Sequence, residues 1–339
     1  MKTPAAPLQT FFTLLLIIAM AHASNLSAAS TLDRIKEKRI LNCGVHSSLP
    51  GFSVKDAGNW QGLEVSFCHA VAAATLGDAA RVRFVPLALE KGHAALQSGD
   101  LDIVVRHSGM ALGTDTALGL MFVEPLYFAS QALLVRDDAD AYTATDLQGK
   151  SVCVDDDQDH NQYLELFMAT AGLELKLVSM SSIEAAAKAF EQQRCDAITA
   201  DLAQLHYLAT LLPAELNTRM LPDKIAIRAT GPLVRSDDVE WYKIIRWTLA
   251  LMLSAEQLGI RAESLESIPR DIKGLWDMAG IKGISIGLDP RWHDKVISQV
   301  GNYDEVFRRF LGADSPYKMP RGLNAHASDG GLHVAPSLD

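Results

Sequence analysis

Two α/β lobes of similar design, each with a parallel-rich sheet flanked by helices, are predicted by three observations. Apolar runs of strand length alternate with amphipathic runs of helix length. The alternation comes in two cycles, each opening with a Cys-bearing strand. The chain has 339 residues, 48% of them hydrophobic, enough for two cores rather than one.

The first cycle starts at residues 40–45 (ILNCGV), which read as a buried strand. In residues 62–75, Leu63, Phe67 and Val71 recur at i, i+4 and i+8, the stripe of an amphipathic helix. Residues 81–86 (RVRFVP) read as a strand, 90–97 as a helix and 101–105 (LDIVV) as a strand. The second cycle starts near Asp146. It reads as a strand at 151–154 (SVCV), a helix at 161–171, a strand at 175–178, an Ala-rich helix at 183–193 and a strand at 197–199. ALQSGDLDIVV (95–105) and AFEQQRCDAIT (189–199) share an order of helix end, tight turn, Asp and apolar strand, an internal symmetry rather than a repeat array. A long helix is expected at 239–258, burying Trp241, Ile244, Ile245, Thr248, Leu249, Met252 and Leu253, with Gly259 as its stop. Residues 289–309 read as helical, and the Gly- and Pro-rich remainder as a tail over a lobe surface.

The N-terminus has the order of a secretory signal peptide over residues 1–23. Lys2 supplies the charge, residues 11–21 (FFTLLLIIAMA) the apolar run, and Ala21-His22-Ala23 the small-residue site. Ala28-Ala29 is a second small-residue site. The apolar run is short for a membrane span, and so is the later run 247–253 (WTLALML). No Cys stands near the cleavage point, which argues against a lipid anchor. Export suits the four cysteines, Cys43, Cys68, Cys153 and Cys195, whose even number points to disulfides. Three pairings are open from sequence alone. If each lobe is its own domain, Cys43–Cys68 and Cys153–Cys195 are the natural pairs. No C-x-x-C spacing supports zinc. A net charge of −10 argues against nucleic acid as a partner.

Several strings occur together in order: LNCGVHSSLPGFS (41–53), GNWQGLEVSFCHAVAAATLGD (58–78), ALQSGDLDIVVR (95–106), VCV (152–154), RCDAITAD (194–201), GPLVR (231–235), WYKIIRWTL (241–249), VGNYDEVF (300–307) and PRGLNA (320–325). The ordered set, which includes all four cysteines, resembles the general L-amino-acid-binding periplasmic proteins of solute-binding protein family 3, from about Leu32 to the C-terminus. The resemblance implies a two-lobed periplasmic binding protein, a type II-like clamp with a two-strand hinge that closes on one small ligand. Lobe 1 would comprise residues 31–136 plus 229–339, and lobe 2 residues 137–228. It also implies a periplasmic location and delivery of an amino acid to an ABC permease in the inner membrane.

The same resemblance places an ammonium-binding carboxylate at Asp201, which residue chemistry alone reads as a helix N-cap. It places an aromatic wall at Phe52, with Ser47 and Ser48 as polar contacts in the same loop. Arg106, His107 and Ser108 follow the third strand, and Asp157 and Asp159 lie in the turn after the VCV strand. Two departures stand out. Where the family has a carboxylate-clamping arginine, this chain has Thr114. Where the family has a neutral turn, it has Asp155-Asp156-Asp157-Gln158-Asp159-His160. Like charges about 4 Å apart repel by roughly 4 kcal/mol at an effective dielectric of 20. An α-carboxylate is therefore a poor ligand unless Arg106 or His107 substitutes. A cationic analogue, a divergent paralogue and a solute sensor stand beside amino-acid uptake. The acidic turn lacks the Gly and Glu of a calcium loop, so no metal is assigned. No G-x-S-x-G, H-E-x-x-H or phosphate-binding glycine loop is present, so neither catalysis nor a cofactor is expected.

Overall fold

A computed structural model describes residues 30–155 and 158–338, the side chains of 158–160 excepted. The expected signal peptide and Asp157 lie outside the described residues. The chain begins with α1 (Thr31–Lys38), β1 (Leu41–Val45), β2 (Val54–Asp56), β3 (Asn59–Gln61) and α2 (Leu63–Leu76). It continues through β4 (Val82–Pro86), α3 (Leu89–Ser98), β5 (Ile103–Val104), α4 (Leu112–Ala117), β6 (Leu120–Phe122) and β7 (Tyr127–Arg136). Next come β8 (Ser151–Asp155), α5 (Gln158–Ala171), β9 (Lys176–Met180), α6 (Ile183–Glu191), β10 (Ala197–Asp201), α7 (Leu202–Leu211), β11 (Thr218–Met220) and β12 (Ala226–Thr230). β13 (Leu233–Arg235) precedes α8 (Val239–Gln257), α9 (Arg270–Gly283), α10 (Trp292–Gln299) and α11 (Tyr303–Phe310).

Two mixed sheets share one pattern. The first runs β4-β1-β5-β13-β6 and the second β9-β8-β10-β7-β11. In each, three parallel strands in the order second, first, third are followed by an antiparallel strand. The symmetry extends to side chains. The Asp102 carboxylate accepts the Asn42 N–H at 2.8 Å, and the Asp196 carboxylate accepts the Ser151 N–H at 2.8 Å. Each Asp precedes the third strand of its cycle and grips the start of the first. The Asp shared by the two similar segments is thus a backbone acceptor, buried at Asp102 and partly buried at Asp196, which secures strand order.

β12 also pairs with β7, in register Ala226↔Gln131 to Thr230↔Tyr127. The chain therefore passes between sheets just before β7 and just after β12. All of β7 and β12 is hydrogen-bonded into the second sheet. The long helix and its buried face are as expected. α2 differs: nearly every side chain is buried, not one stripe. Sheet one covers one side, and α8, α10 and α11 cover the other. The helical region expected at 289–309 breaks before Asn302, which caps α11 in a reciprocal box with Glu305. The tail does more than cover a surface: Asn324 accepts the Phe128 N–H at 2.8 Å and donates to the Phe128 carbonyl at 3.1 Å, holding the start of β7.

The disulfides are Cys43–Cys68, joining β1 to α2, and Cys153–Cys195, joining β8 to the turn before β10. They close loops with sequence separations of 25 and 42 residues. Loop closure of this size restricts the unfolded chain by about 3–4 kcal/mol each. Replacing either pair by Ser should lower the unfolding free energy by about that amount, read as a lower urea midpoint, with a slope that is unchanged or steeper as the freed unfolded chain expands. A second expectation concerns acid. Tyr303 donates its hydroxyl to the Leu126 carbonyl at 2.8 Å, so the His333 Nε2 contact at 3.2 Å is an N–H donated to the Tyr303 oxygen. Burial, then Arg321 and His326, pull His333 down to about 3. Below about pH 6.5 the unfolded chain binds a proton that the folded chain refuses until about pH 3. Stability in urea melts should fall across that window, with a smaller slope in His333→Leu; an unchanged slope would locate the acid sensitivity elsewhere.

Candidate ligand site where the two sheets meet

A cavity of about 220 Å³ lies where the β1–β2 loop, the β5–α4 loop, the start of α7 and β12 converge. Its first wall is the loop bearing His46, Leu49 and Phe52. Gly62 is required behind that wall: a Cβ there would lie 2.1 Å from the Phe52 carbonyl oxygen, and the Gly62 φ is +133°. The close approach lets the Glu64 N–H reach the same carbonyl at 3.1 Å. Phe52 is 1% exposed, with its ring edge-on to His107 at 4.6 Å and to Tyr127 at 4.8 Å. It is both a core anchor and part of the cavity wall.

Arg106, His107, Ser108 and Gly109 form the second wall. Arg106 donates Nε to the Leu87 carbonyl at 2.6 Å. His107 sits in the left-handed region at φ 53°, a conformation costing roughly 1 kcal/mol or more for a residue with a Cβ. The buried Glu64 carboxylate holds it there by accepting the His107 N–H, with the ring Nδ1 3.5 Å away. Burial, then the nearby Arg106 and His107, lower His46 to about 4, so its imidazole is neutral at pH 7. The loop is tied across to β12 by Met110 N–H to the Ala229 carbonyl at 3.1 Å and Gly231 N–H to the Ser108 carbonyl at 3.0 Å.

The third wall belongs to the second sheet: Asp201 and Gln204 at the β10–α7 junction, and Arg228 on β12. Asp201 is 3% exposed. Its Oδ1 caps α7 by accepting the Ala203 N–H at 2.9 Å and lies 3.5 Å from the Tyr127 hydroxyl. Asp201 Oδ2 is buried without a hydrogen-bond partner among the described residues, as are Ser108 Oγ and Gln204 Oε1. Three such atoms around one cavity are unusual, because buried polar atoms are nearly always paired. A larger cavity, about 550 Å³, lies behind the hinge, but there Arg321 already pairs with Glu256 and Asp304.

Of the residues singled out in the sequence, Phe52, Arg106, His107, Ser108 and Asp201 line the smaller cavity together. Ser47 and Ser48 do not: both are exposed, and the Ser48 N–H turns back onto His46 Nδ1 at 3.1 Å. Asp159 lies in α5, with its side chain outside the described residues. Thr114 is buried in α4, away from the lining. Most of the acidic turn, Asp156, Asp157 and the side chains of 158–160, lies outside the described residues. Among the described residues the lining includes one carboxylate residue, Asp201, and two arginines, Arg106 and Arg228. Sequence reasoning missed His46, Leu49, Leu89, Gln204 and Arg228. Gln204 was findable, three residues after Asp201 on the first turn of a helix. Arg228 gives no local signal, since only the β12–β7 pairing brings it here.

The model of the bacterial extracellular solute-binding proteins, family 3, matches residues 41–260. The chain belongs to that family. It is 34% identical over 326 residues to the general L-amino acid-binding periplasmic protein AapJ of Rhizobium johnstonii, covering 94% of this chain and 96% of the relative. It is 35% identical over 316 residues to the glutamate/glutamine/aspartate/asparagine-binding protein BztA of Rhodobacter capsulatus, covering 91% and 94%. A periplasmic binding protein of Brucella ovis, solved with glutathione bound, superposes with a TM-score of 0.80 at 34% identity, covering 92% of this chain and 100% of that one. Two-lobed binding proteins thus share the fold.

Proposed function

We propose that this chain is the exported receptor of an ABC-type uptake system, holding an α-amino acid or closely related solute between its lobes and presenting it to a membrane permease. The observation that carries the reading is the buried Asp201, with Oδ2 unpartnered among the described residues, in a cavity also lined by Arg106 and Arg228. A zwitterionic head fits that charge pattern: its ammonium to Asp201, its carboxylate to a guanidinium, with Ser108 and Gln204 as further partners. Phe52 and His107 offer ring surface to the solute's side chain. The names of the relatives point the same way, and glutathione carries such a head. In this reading lobe 1 runs to about residue 126 and resumes near 231, lobe 2 lies between, and the β7–β12 pair is the hinge. Residues 1–23 direct export to the periplasm.

A thermal-shift screen of the mature protein against the twenty L-amino acids, glutathione and polyamines tests the reading. A ligand at 100 times its Kd adds about 2.7 kcal/mol. Stabilisation by amino acids is expected; stabilisation by polyamines alone would replace the zwitterion with a cation. Asp201→Asn separates the two roles of the residue. Asn is an equally good helix cap, so stability should change by less than about 1 kcal/mol. Loss of the charge should weaken amino-acid binding about 30-fold or more. Unchanged affinity would leave Asp201 as a cap alone.

A further inference from the structure

We propose that Asn324, in the C-terminal tail, is a positioning residue for the hinge: it clamps the start of β7 to the first-sheet body, so that the two bodies pivot beyond Phe128. The proposal rests on the hinge of the reading above and on no contact with a ligand. The N–H and C=O of one residue point to the same edge of its strand. At Phe128 one edge of β7 carries β12, in register with Ala229. The other edge is left open there, because β10 ends at Asp201 opposite Gln131. The Asn324 carboxamide takes that open edge, accepting the Phe128 N–H at 2.8 Å and donating to the Phe128 carbonyl at 3.1 Å. A carboxamide carries a donor and an acceptor side by side, which is what the main chain of one residue requires. Asn324 is 2% exposed and stands where a neighbouring strand would stand.

The clamp is itself anchored to the first-sheet body. The Arg321 guanidinium donates to the Asn324 carbonyl from Nε at 3.0 Å and from Nη2 at 2.7 Å. Nη1 of the same group pairs with Glu256 of α8 at 3.0 Å and with Asp304 of α11 at 2.9 Å. The group also lies over the Tyr303 and Phe307 rings of α11, 5.0 Å from each centroid, and is thereby held in plane. Farther along the tail, His333 packs its ring on that of Phe128, with centroids 5.0 Å apart. The line of force therefore runs from α8 and α11 through Arg321 and Asn324 to the second residue of β7. Across from this stretch of the tail, Ser130, Leu202 and Lys224 of the second-sheet body form the far wall of the cavity of about 550 Å³. That space lets the second-sheet body turn while the start of β7 stays with the first.

The test is the distance distribution between spin labels on Lys55→Cys of β2 and Lys188→Cys of α6, both exposed, measured by pulsed EPR in the ligand-free protein. It is read in the otherwise wild-type chain and in three variants, each shown to be folded by its melting profile. Asn324→Ala removes both bonds to Phe128. Asn324→Asp keeps the acceptor for the Phe128 N–H and loses the donor, and it carries the test if Asn324→Ala does not fold. Ser254→Ala removes a tail bond away from the hinge, the one its hydroxyl donates to the Pro336 carbonyl at 3.0 Å. Both Asn324 variants should broaden or displace the distribution, and Ser254→Ala should not. An unchanged distribution in a folded Asn324 variant would overturn the assignment. So would an equal change in Ser254→Ala, which would mark a general loosening of the tail. By calorimetry, the Asn324 variants should weaken the two tightest-binding L-amino acids of the twenty by one common factor, about fivefold or more, because the residue acts on the hinge and not on the ligand. A loss confined to one of the two would also overturn it. If the wild-type protein binds none of the twenty, the receptor reading fails, and the label distances still decide the role of Asn324.

Discussion

Strand β7 has β10 along one edge, and β12 and then β11 along the other. It enters from the first sheet, and β12 leads back to it. Every residue of the second-sheet wall owes its position to this pairing. Asp201 is held at the end of β10 opposite Gln131, and Arg228 on β12 opposite Ala129. Tyr127, the first residue of β7, packs edge-on to Phe52 and reaches Asp201. The C-terminal tail then holds the same strand through Asn324, and Tyr303 holds Leu126 just before it. Backbone bonds of this kind contribute modestly one by one, but leaving them unmade in a buried place is costly. The register is therefore firm, and with it the backbone positions from which Asp201 and Arg228 reach the cavity.

The two larger polar clusters differ in a way that bears on function. Behind the hinge, Arg321 is paired with Glu256 and Asp304, and the charges satisfy one another. In the cavity between the sheets, Asp201 Oδ2, Ser108 Oγ and Gln204 Oε1 are buried without partners among the described residues. Burying a polar atom without a partner costs on the order of 1–3 kcal/mol. A protein that carries such a cost at one location gains it back when a solute supplies the missing donors and acceptors. His107, held in a left-handed conformation by Glu64, adds local strain at the same place.

The paired design of the sheets explains how so much of the chain serves a small site. Each cycle secures its strand order with an Asp that accepts a backbone N–H of the first strand, and its first strand with a disulfide. Each borrows its antiparallel strand from a hinge crossing: β7 as the chain enters the second sheet, β13 as it returns to the first. Loops can then carry chemistry without also carrying the fold.

Local pattern determined much of this molecule. Strand and helix alternation, the symmetry of the two segments, the cysteine pairs and the buried face of α8 were legible because each depends on residues near in sequence or on lobe membership. Phe52, Arg106, His107, Ser108 and Asp201 were legible through family motifs. The antiparallel strands, the burial of α2 on all sides and the docking of the tail were not, since each is decided by a partner far along the chain. The lining of the cavity was only partly legible for the same reason. Thr114 and the acidic turn are visible in sequence, whereas Arg228 lines the same cavity as Asp201 only because β7 pairs with β10 and β12 at once, and that pairing exists only in the folded chain.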